Sequence, residues 1–102
     1  MKVKEVLVFE DAVNDLEDGK IFYYLKENGV GDYFYDSIIA DIESLIIYAG
    51  IHKKKYGLHQ LFSKRFPYAI YYEIIENIAY VIAVLPMRRD PAWIESKVKR
   101  RS

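Results

Sequence analysis

Residues Arg65 to Trp93 read RFPYAIYYEIIENIAYVIAVLPMRRDPAW and contain the pattern from which the fold is predicted. Within them, Tyr68–Ile75 and Ile78–Leu85 are rich in Ile, Val, Tyr and Ala, which is typical of paired strands. Only Glu76 and Asn77 separate the two runs, and asparagine tolerates the positive φ that a tight turn needs. The stretch therefore predicts a β-hairpin.

A two-residue loop fixes the register of a hairpin, because the residues that flank the loop must face each other. The predicted pairs, counted back from the turn, are Ile75 with Ile78, Glu73 with Tyr80, Tyr72 with Val81, and Tyr71 with Ile82. Side chains alternate between the faces of a strand, so this register also assigns every residue to one of two faces.

The two predicted faces are both apolar. The first carries no charge and is predicted to be core; its members are Tyr68, Ile70, Tyr72, Ile74, Ala79, Val81, Ala83 and Leu85. The second comprises Ala69, Tyr71, Glu73, Ile75, Ile78, Tyr80, Ile82 and Val84. An antiparallel sheet commonly exposes one polar face, so we expect either another element of the chain or a partner to cover the second face.

An anion-binding site is predicted beyond the end of the hairpin. The same register places Arg65 opposite Arg88 and Pro67 opposite Pro86. Two like charges across a pair of strands are unfavourable unless an anion lies between them. Arg89 follows directly, so the three arginines are expected to bind an acidic group.

The first half of the chain predicts a strand followed by two antiparallel helices. Val3–Phe9 alternates imperfectly and predicts the strand, and a helix is expected from Glu10 or Asp11 to a C-cap at Asn28-Gly29. Its buried stripe is predicted to be Ala12, Leu16, Gly19 and Tyr23, with Gly19 marking a close helix crossing. Asp32 is the expected cap of the second helix, whose stripe is Phe34, Ile38, Ile42, Leu45 and Ala49.

The second half adds one strand before the hairpin and one helix after it. A basic loop, Ile51–Gly57, leads to a strand predicted over Leu58–Phe66. Asp90 and Pro91 predict the N-cap and first residue of a last helix over Pro91–Val98, followed by a frayed basic tail. The predicted class is therefore α+β: an N-terminal strand, an antiparallel helical hairpin, a three-stranded antiparallel sheet segment and a short C-terminal helix.

Length and composition favour a single small domain over residues 1–102, located in the cytoplasm. The chain has no cysteine, and its longest apolar run is about half of the ~20 residues that a membrane span requires. Residues 1–50 hold four Lys against eleven acidic residues, whereas residues 51–102 hold eleven Lys and Arg against four acidic residues. This asymmetry indicates either an anionic partner for the basic half or mutual neutralisation of the two halves.

Several short motifs, in a fixed order, resemble the RelE/ParE superfamily of bacterial toxins, and most closely its ParE-type or plasmid-stabilisation members. They are Asp15-Leu16, Tyr23-Tyr24, Gly31 with Phe34, Arg65-Phe66-Pro67-Tyr68, Ala83-Val84-Leu85, and Arg88-Arg89-Asp90-Pro91 with Trp93. The resemblance extends over almost the whole chain and implies the same α+β fold.

The resemblance also implies partners. It implies a type II toxin that a cognate antitoxin neutralises, and a homodimer or a heterotetramer with the antitoxin is expected. The residues themselves contain no Gly-rich phosphate loop and no His/Asp cluster with metal-ligand spacing, so no cofactor and no metal are expected. The superfamily offers two activities: RelE-like members cut mRNA on the ribosome, and ParE-like members inhibit DNA gyrase. The apolar second face predicts the antitoxin contact, through Tyr71, Ile75, Ile78, Tyr80 and Ile82.

A nuclease would need a base for the 2′-hydroxyl group and cations for the phosphate. Lys54, His59, Arg65 and Arg89 are the candidates, although the lysine run is also explained as a solvated loop. RelE-like nucleases resemble one another in having a basic residue where this chain has Ala69, and a tyrosine in the last helix, where it has Trp93. This favours a gyrase-binding toxin, with an mRNA endonuclease or a degenerate, antitoxin-binding homologue as alternatives.

Overall fold

The computed structural model describes residues 2–102; Met1, the first residue of the predicted domain, lies outside them. The predicted order of a strand, a helical pair, three antiparallel strands and a last helix is confirmed. The elements are β1 (Glu5–Val8), α1 (Glu10–Lys26), α2 (Val30–Glu43), α3 (Leu45–Tyr48), β2 (Lys54–Lys55), β3 (Leu58–Phe62), β4 (Tyr68–Ile75), β5 (Ile78–Pro86) and α4 (Pro91–Arg101). Across this range no helix has the length and apolarity to traverse a bilayer.

All five strands join one sheet in the order β1-β5-β4-β3-β2. The three strands β3, β4 and β5 are antiparallel, as predicted, whereas β1 pairs with β5 in the parallel direction. The first strand of the chain thus lies beside the last one. β1 ends at Val8, opposite Val81, so the second half of β5 has no strand on that flank.

The hairpin register is confirmed near the turn and wrong beyond it. Glu76 and Asn77 both have positive φ, 50° and 67°, as in the tight turns that match the twist of a hairpin. Tyr72 lies opposite Val81 as predicted, but Tyr71 lies opposite Ala83 rather than Ile82. Ile82 is therefore an extra residue in β5, a β-bulge, which local sequence does not reveal.

The bulge reverses the predicted faces of the last residues of β5. Val84 joins the core on the first face with Tyr72 and Val81. Ala83 and Leu85, predicted for the first face, instead belong to the second. One inserted residue is enough for this change, because side chains alternate with a period of two.

The helical hairpin of α1 and α2 covers the first face of the sheet. Both predicted stripes are confirmed: all five members of the second are buried, as are Ala12, Leu16 and Gly19, and Tyr23 packs against them. A Cβ at Gly19 would lie 2.5 Å from the Phe34 ring, so the predicted close crossing is also confirmed. The second helix begins at Val30 rather than at Asp32, because Gly29 turns the chain in the left-handed conformation, at φ 84°.

The last helix covers part of the second face. Its residues Ile94 and Val98 pack against Tyr71 and Ile82, and all four are buried. The Asp90 carboxylate accepts a hydrogen bond from the Ala92 N–H at 3.1 Å, which confirms the predicted N-cap. The predicted end at Val98 and the frayed tail are wrong, since α4 continues to Arg101.

Candidate functional site

A cleft of about 370 Å³ lies where α1, the end of β5 and α4 meet. It forms because β1 stops opposite Val81 and leaves the flank of the later β5 residues uncovered. The cleft is lined by Asp15, Asp18, Gly19, Phe22, Tyr23, Pro67, Tyr68, Val84, Leu85, Pro86, Arg88, Arg89, Trp93 and Lys97. Most of these side chains are apolar or aromatic, and the charged ones lie on two different walls.

Asp15 and its partner Arg101 form hydrogen bonds with backbone groups of β5 that have no neighbouring strand on this flank. The Val84 N–H donates to Asp15 Oδ2 at 2.9 Å. The Arg101 guanidinium group donates to both carboxylate oxygens of Asp15, at 2.5 and 3.0 Å, and to the Ile82 carbonyl oxygen at 3.3 Å. Asp15 raises the pKa of Arg101, chiefly through the hydrogen bond. The pair therefore ties α4 to α1 and to the bulge of β5.

The wall formed by α4 and the loop before it is cationic. The Arg89 guanidinium carbon lies 3.8 Å from the centroid of the Trp93 ring, and Lys97 Nζ lies 5.3 Å from it. Arg88 and Arg89 are exposed. In residues 2–102, neither of them nor Lys97 forms an ion pair. These three cations are available to an anion.

Two tyrosines stand behind the cations and act as neutral groups. Burial raises the pKa of Tyr68 to about 12, with further contributions from Tyr23, Asp15 and Asp18. Burial also raises the pKa of Tyr23, against the opposing effect of Arg88. Both hydroxyl groups therefore keep their protons at neutral pH and can donate hydrogen bonds, but neither is suited to act as a base.

The predicted nuclease residues lie in three separate places. Lys54 pairs with His59 across β2 and β3, and the His59 ring stacks on Tyr72 at 5.0 Å. Arg65 donates to the Tyr33 hydroxyl at 2.9 Å, in the loop after β3. Arg89 stacks on Trp93 in the cleft. Each group has its own set of neighbours.

The two positions at which the resemblance expects nuclease side chains hold apolar ones here. Ala69 is fully buried in the second-face core, opposite Phe62 and Leu85. Trp93 occupies the start of α4, where its ring is covered by Arg89, and the next residue, Ile94, is buried. No hydroxyl group or cation projects from these positions.

The predicted pairing of Arg65 with Arg88 is wrong. The bulge shifts the register of the hairpin by one residue. Its paired part therefore ends with Tyr68 opposite Pro86, where Pro67 was expected to face Pro86. Pro67 therefore does not face Pro86; its carbonyl oxygen instead accepts from the Met87 N–H at 2.7 Å. The strand before the hairpin stops at Phe62 rather than Phe66, and Arg65 turns towards α2. The arginines that share a site are Arg88 and Arg89.

The residues predicted to contact an antitoxin divide into two groups. Tyr71 and Ile82 are buried under α4, whereas Ile75 is 48% exposed and Ile78 and Tyr80 are partly exposed. β1 extends the exposed part, because Leu7 lies opposite Tyr80 and the Phe9 ring packs 5.5 Å from the Tyr80 ring. We call this surface the sheet-end patch: Leu7, Phe9, Ile75, Ile78 and Tyr80.

The Asp15–Arg101 pair is not predicted by the sequence patterns. Asp15 directly precedes Leu16, a residue of the buried stripe, and so lies at the edge of the contact between helix and sheet. Such a position indicates that its carboxylate could be partly buried and paired. Arg101 gave no such signal, because it stands in a basic run of Lys97, Lys99 and Arg100. Only the path of α4 distinguishes it from its neighbours.

Neither a protein-family model nor a curated protein matches the sequence. Among solved structures, the chain is similar to a chain in the structure of the chromosomal ParDE TA system from P. aeruginosa. The TM-score is 0.76 at 13% sequence identity, and the match covers 82% of this chain and 96% of the other. This chain has a RelE/ParE-like fold. The RelE/ParE-like fold predicted from the motifs is thus confirmed, and both the cleft and the sheet-end patch are accessible on its surface.

Proposed function

We propose that this chain is the toxin of a type II toxin–antitoxin pair and that it acts by binding its target rather than by cutting RNA. The observation that carries the proposal is the separation of Lys54, His59, Arg65 and Arg89 into three places, while unpaired cations line an apolar cleft. The likeness to a chain of a ParDE system supports the toxin–antitoxin part.

The chemistry of RNA cleavage argues against a nuclease. A base must reach the 2′-hydroxyl group while cations contact the same phosphate, which requires all of these groups within a few ångströms of one another. Here His59 Nδ1 contacts the His52 carbonyl oxygen at 2.6 Å and the His59 ring stacks on Tyr72, away from Arg89 and its Trp93. A binding protein needs no such convergence.

The antitoxin is proposed to cover the sheet-end patch. Four of the five apolar side chains of the patch lie on the neighbouring strands β1, β5 and β4, and together they form a surface that an apolar segment of a partner can bury. Tyr80 lies at its centre, between Leu7 on β1 and Glu73 on β4. Antitoxin binding through Tyr80 would leave the α1–α4 cleft on a different part of the molecule.

The proposed target is DNA gyrase in the bacterial cytoplasm, as for ParE-type and plasmid-stabilisation toxins. The test adds the purified chain to two assays: DNA supercoiling by gyrase, and translation on ribosomes with primer extension along the mRNA. Inhibited supercoiling with intact mRNA supports the proposal. Codon-phased mRNA cuts that disappear in Lys54→Ala or Arg89→Ala would instead establish the nuclease alternative.

A third outcome is informative as well. If expression of the chain does not arrest growth, neither assay responds, and the chain still binds its antitoxin, the chain is a homologue that has kept antitoxin binding only. Light scattering of the chain alone and with its antitoxin then measures whether it forms a homodimer or a heterotetramer.

A further inference from the structure

We propose that the α1–α4 cleft binds a segment of a partner polypeptide in which an aromatic side chain stands next to a carboxylate. This assignment rests on the proposed binding function and names the kind of segment that the cleft takes. It is distinct from the antitoxin contact at the sheet-end patch.

The apolar part of the cleft requires an apolar group from its ligand. Phe22 is 49% exposed on the α1 wall, and Pro67, Leu85 and Pro86 add further apolar lining. Trp93 closes the side made by α4. A concave apolar surface of about 370 Å³ is within the range of sites that enclose small ligands, and one aromatic side chain with its backbone fits it.

The cations at the mouth require one negative charge. The Arg89 guanidinium carbon lies 3.8 Å from the centroid of the Trp93 ring, and the group has no ion pair among residues 2–102, so its N–H groups can donate to a carboxylate. Arg88 stands beside it in sequence, and its positive charge acts on the pKa of Tyr23 across the cleft. A carboxylate placed between Arg88 and Arg89 would gain charge-assisted hydrogen bonds from both.

The acidic residues of the α1 wall decide between a peptide and a nucleic acid. Asp15 is neutralised by Arg101, but Asp18 is exposed and has no ion pair among residues 2–102. A phosphate backbone would bring several negative charges towards Asp18, which would repel them. A peptide would bring one carboxylate to the arginines and a backbone N–H group that can donate a hydrogen bond to Asp18. The cationic wall and the acidic wall therefore suit a peptide better than a nucleic acid.

The chain carries its own reporter for the test. Trp93 is its single tryptophan and lines the cleft between Arg89 and Lys97. The titrations follow Trp93 fluorescence with three matched probes, the blocked dipeptides acetyl-Phe-Glu-amide, acetyl-Phe-Gln-amide and acetyl-Ala-Glu-amide. The second removes only the charge, and the third removes only the ring.

We expect acetyl-Phe-Glu-amide to change the emission with a dissociation constant in the range of about 1 mM, as a ligand of this size allows. Each of the other two should bind roughly tenfold more weakly, since each loses one of the two contacts. Arg88→Ala should reduce the preference for Glu over Gln, because only Arg89 then remains to bind the carboxylate. Arg100→Ala, on the exposed side of α4, should leave it unchanged, and thermal melts establish that both variants are folded.

Equal binding of the Glu and Gln probes to the unsubstituted chain would overturn the proposal, as would the absence of any titratable change. Tighter binding of a fourth probe, acetyl-Phe-Lys-amide, than of acetyl-Phe-Glu-amide would also overturn it, because Asp18 rather than the arginines would then set the preference. If the probes do not bind but gyrase is inhibited, only the cleft assignment fails. If they bind with the expected preference and gyrase supercoiling is unaffected, the proposed function fails and the cleft assignment stands.

Discussion

The two faces of the sheet are both mostly apolar in sequence, but they are buried to different extents. The first face is largely buried by α1, α2 and α3, in a core that includes Phe34, Ile38 and Tyr72, and only its margins, such as Ile74, are partly exposed. The second is buried only where α4 crosses it, at Tyr71 and Ile82, and remains partly exposed at Ile75 and Tyr80. An apolar face in the sequence therefore indicates that another element or a partner covers it. The length and path of α4 decide how much of the second face stays exposed for a partner.

The largest expected effect comes from releasing α4 from the second face. Asp15→Ala leaves the Arg101 guanidinium group and the Val84 N–H without their shared acceptor, and only 10% and 13% of the Asp15 and Arg101 side chains are exposed. Breaking one side of such a buried pair costs about 3–5 kcal/mol. Urea unfolding should show a loss of this size.

The matched control is Lys99→Ala, which removes an ion pair to Glu95 on the same helix. Those side chains are 63% and 44% exposed and solvent screens their attraction, so the free energy of unfolding should change little. If both variants lost the same free energy of unfolding, the Asp15–Arg101 pair would not be what holds α4.

A smaller effect is expected where the first face is packed most closely. Gly19→Ala would place a methyl group 2.5 Å from the Phe34 ring, and overpacking of this kind costs about 1–3 kcal/mol. In a helix, alanine is otherwise favoured over glycine by roughly 1 kcal/mol. Chemical denaturation should therefore show destabilisation; a stabilised variant would mean that α1 and α2 can separate without loss.

The sheet-end patch tests the open part of the second face. Tyr80→Lys should weaken antitoxin binding by about 1 kcal/mol or more, as for an aromatic anchor, with little change in thermal stability. Isothermal titration with the antitoxin measures it, and Tyr48→Lys, at an exposed residue of α3, is the control. Equal affinities for the two variants would exclude the patch from the interface.

The smallest expected effect is a pH dependence at the edge of the first face. His52 Nδ1 contacts the Tyr72 hydroxyl group, which also accepts from the Gly50 N–H at 2.9 Å. Burial, and then His59, lowers the pKa of His52 below 6.5. The folded state therefore binds fewer protons than the unfolded state just below pH 6.5, so its stability falls as the pH falls through that range.

The slope of melting temperature against pH should be smaller in His52→Gln between pH 7 and 5. A substitution that leaves the slope unchanged would assign the acid sensitivity to other groups. This effect is local and leaves the second face untouched.

Periodicity and turn chemistry predicted most of the fold because they act over short distances. The stripe ending at Tyr23, the cap at Asp90 and the pairs nearest the turn of the hairpin each depend on a few consecutive residues. The bulge at Ile82 and the parallel pairing of β1 depend instead on contacts between distant parts of the chain. Local pattern contains no information about them.

The candidate site was predicted less completely for the same reason. Arg88 and Arg89 were identified as cations of a site, but the wall opposite them comes from α1, and Arg65 was assigned to the same site through a register that the bulge alters. Asp18, which gives the cleft its polarity, was not identified at all. Its role follows only from the position of α1 beside α4.

The parallel pairing of β1 with β5 has a consequence for how the chain folds. β1 has no strand to pair with until β5 has been synthesised. Asp15 likewise cannot form its ion pair until Arg101, 86 positions later, has been synthesised. During translation, the N-terminal strand and α1 therefore emerge before their partners exist. Because contacts between distant residues slow folding, we expect the native state to form only after synthesis of nearly all of residues 2–102, and to form more slowly than a helical bundle of similar size.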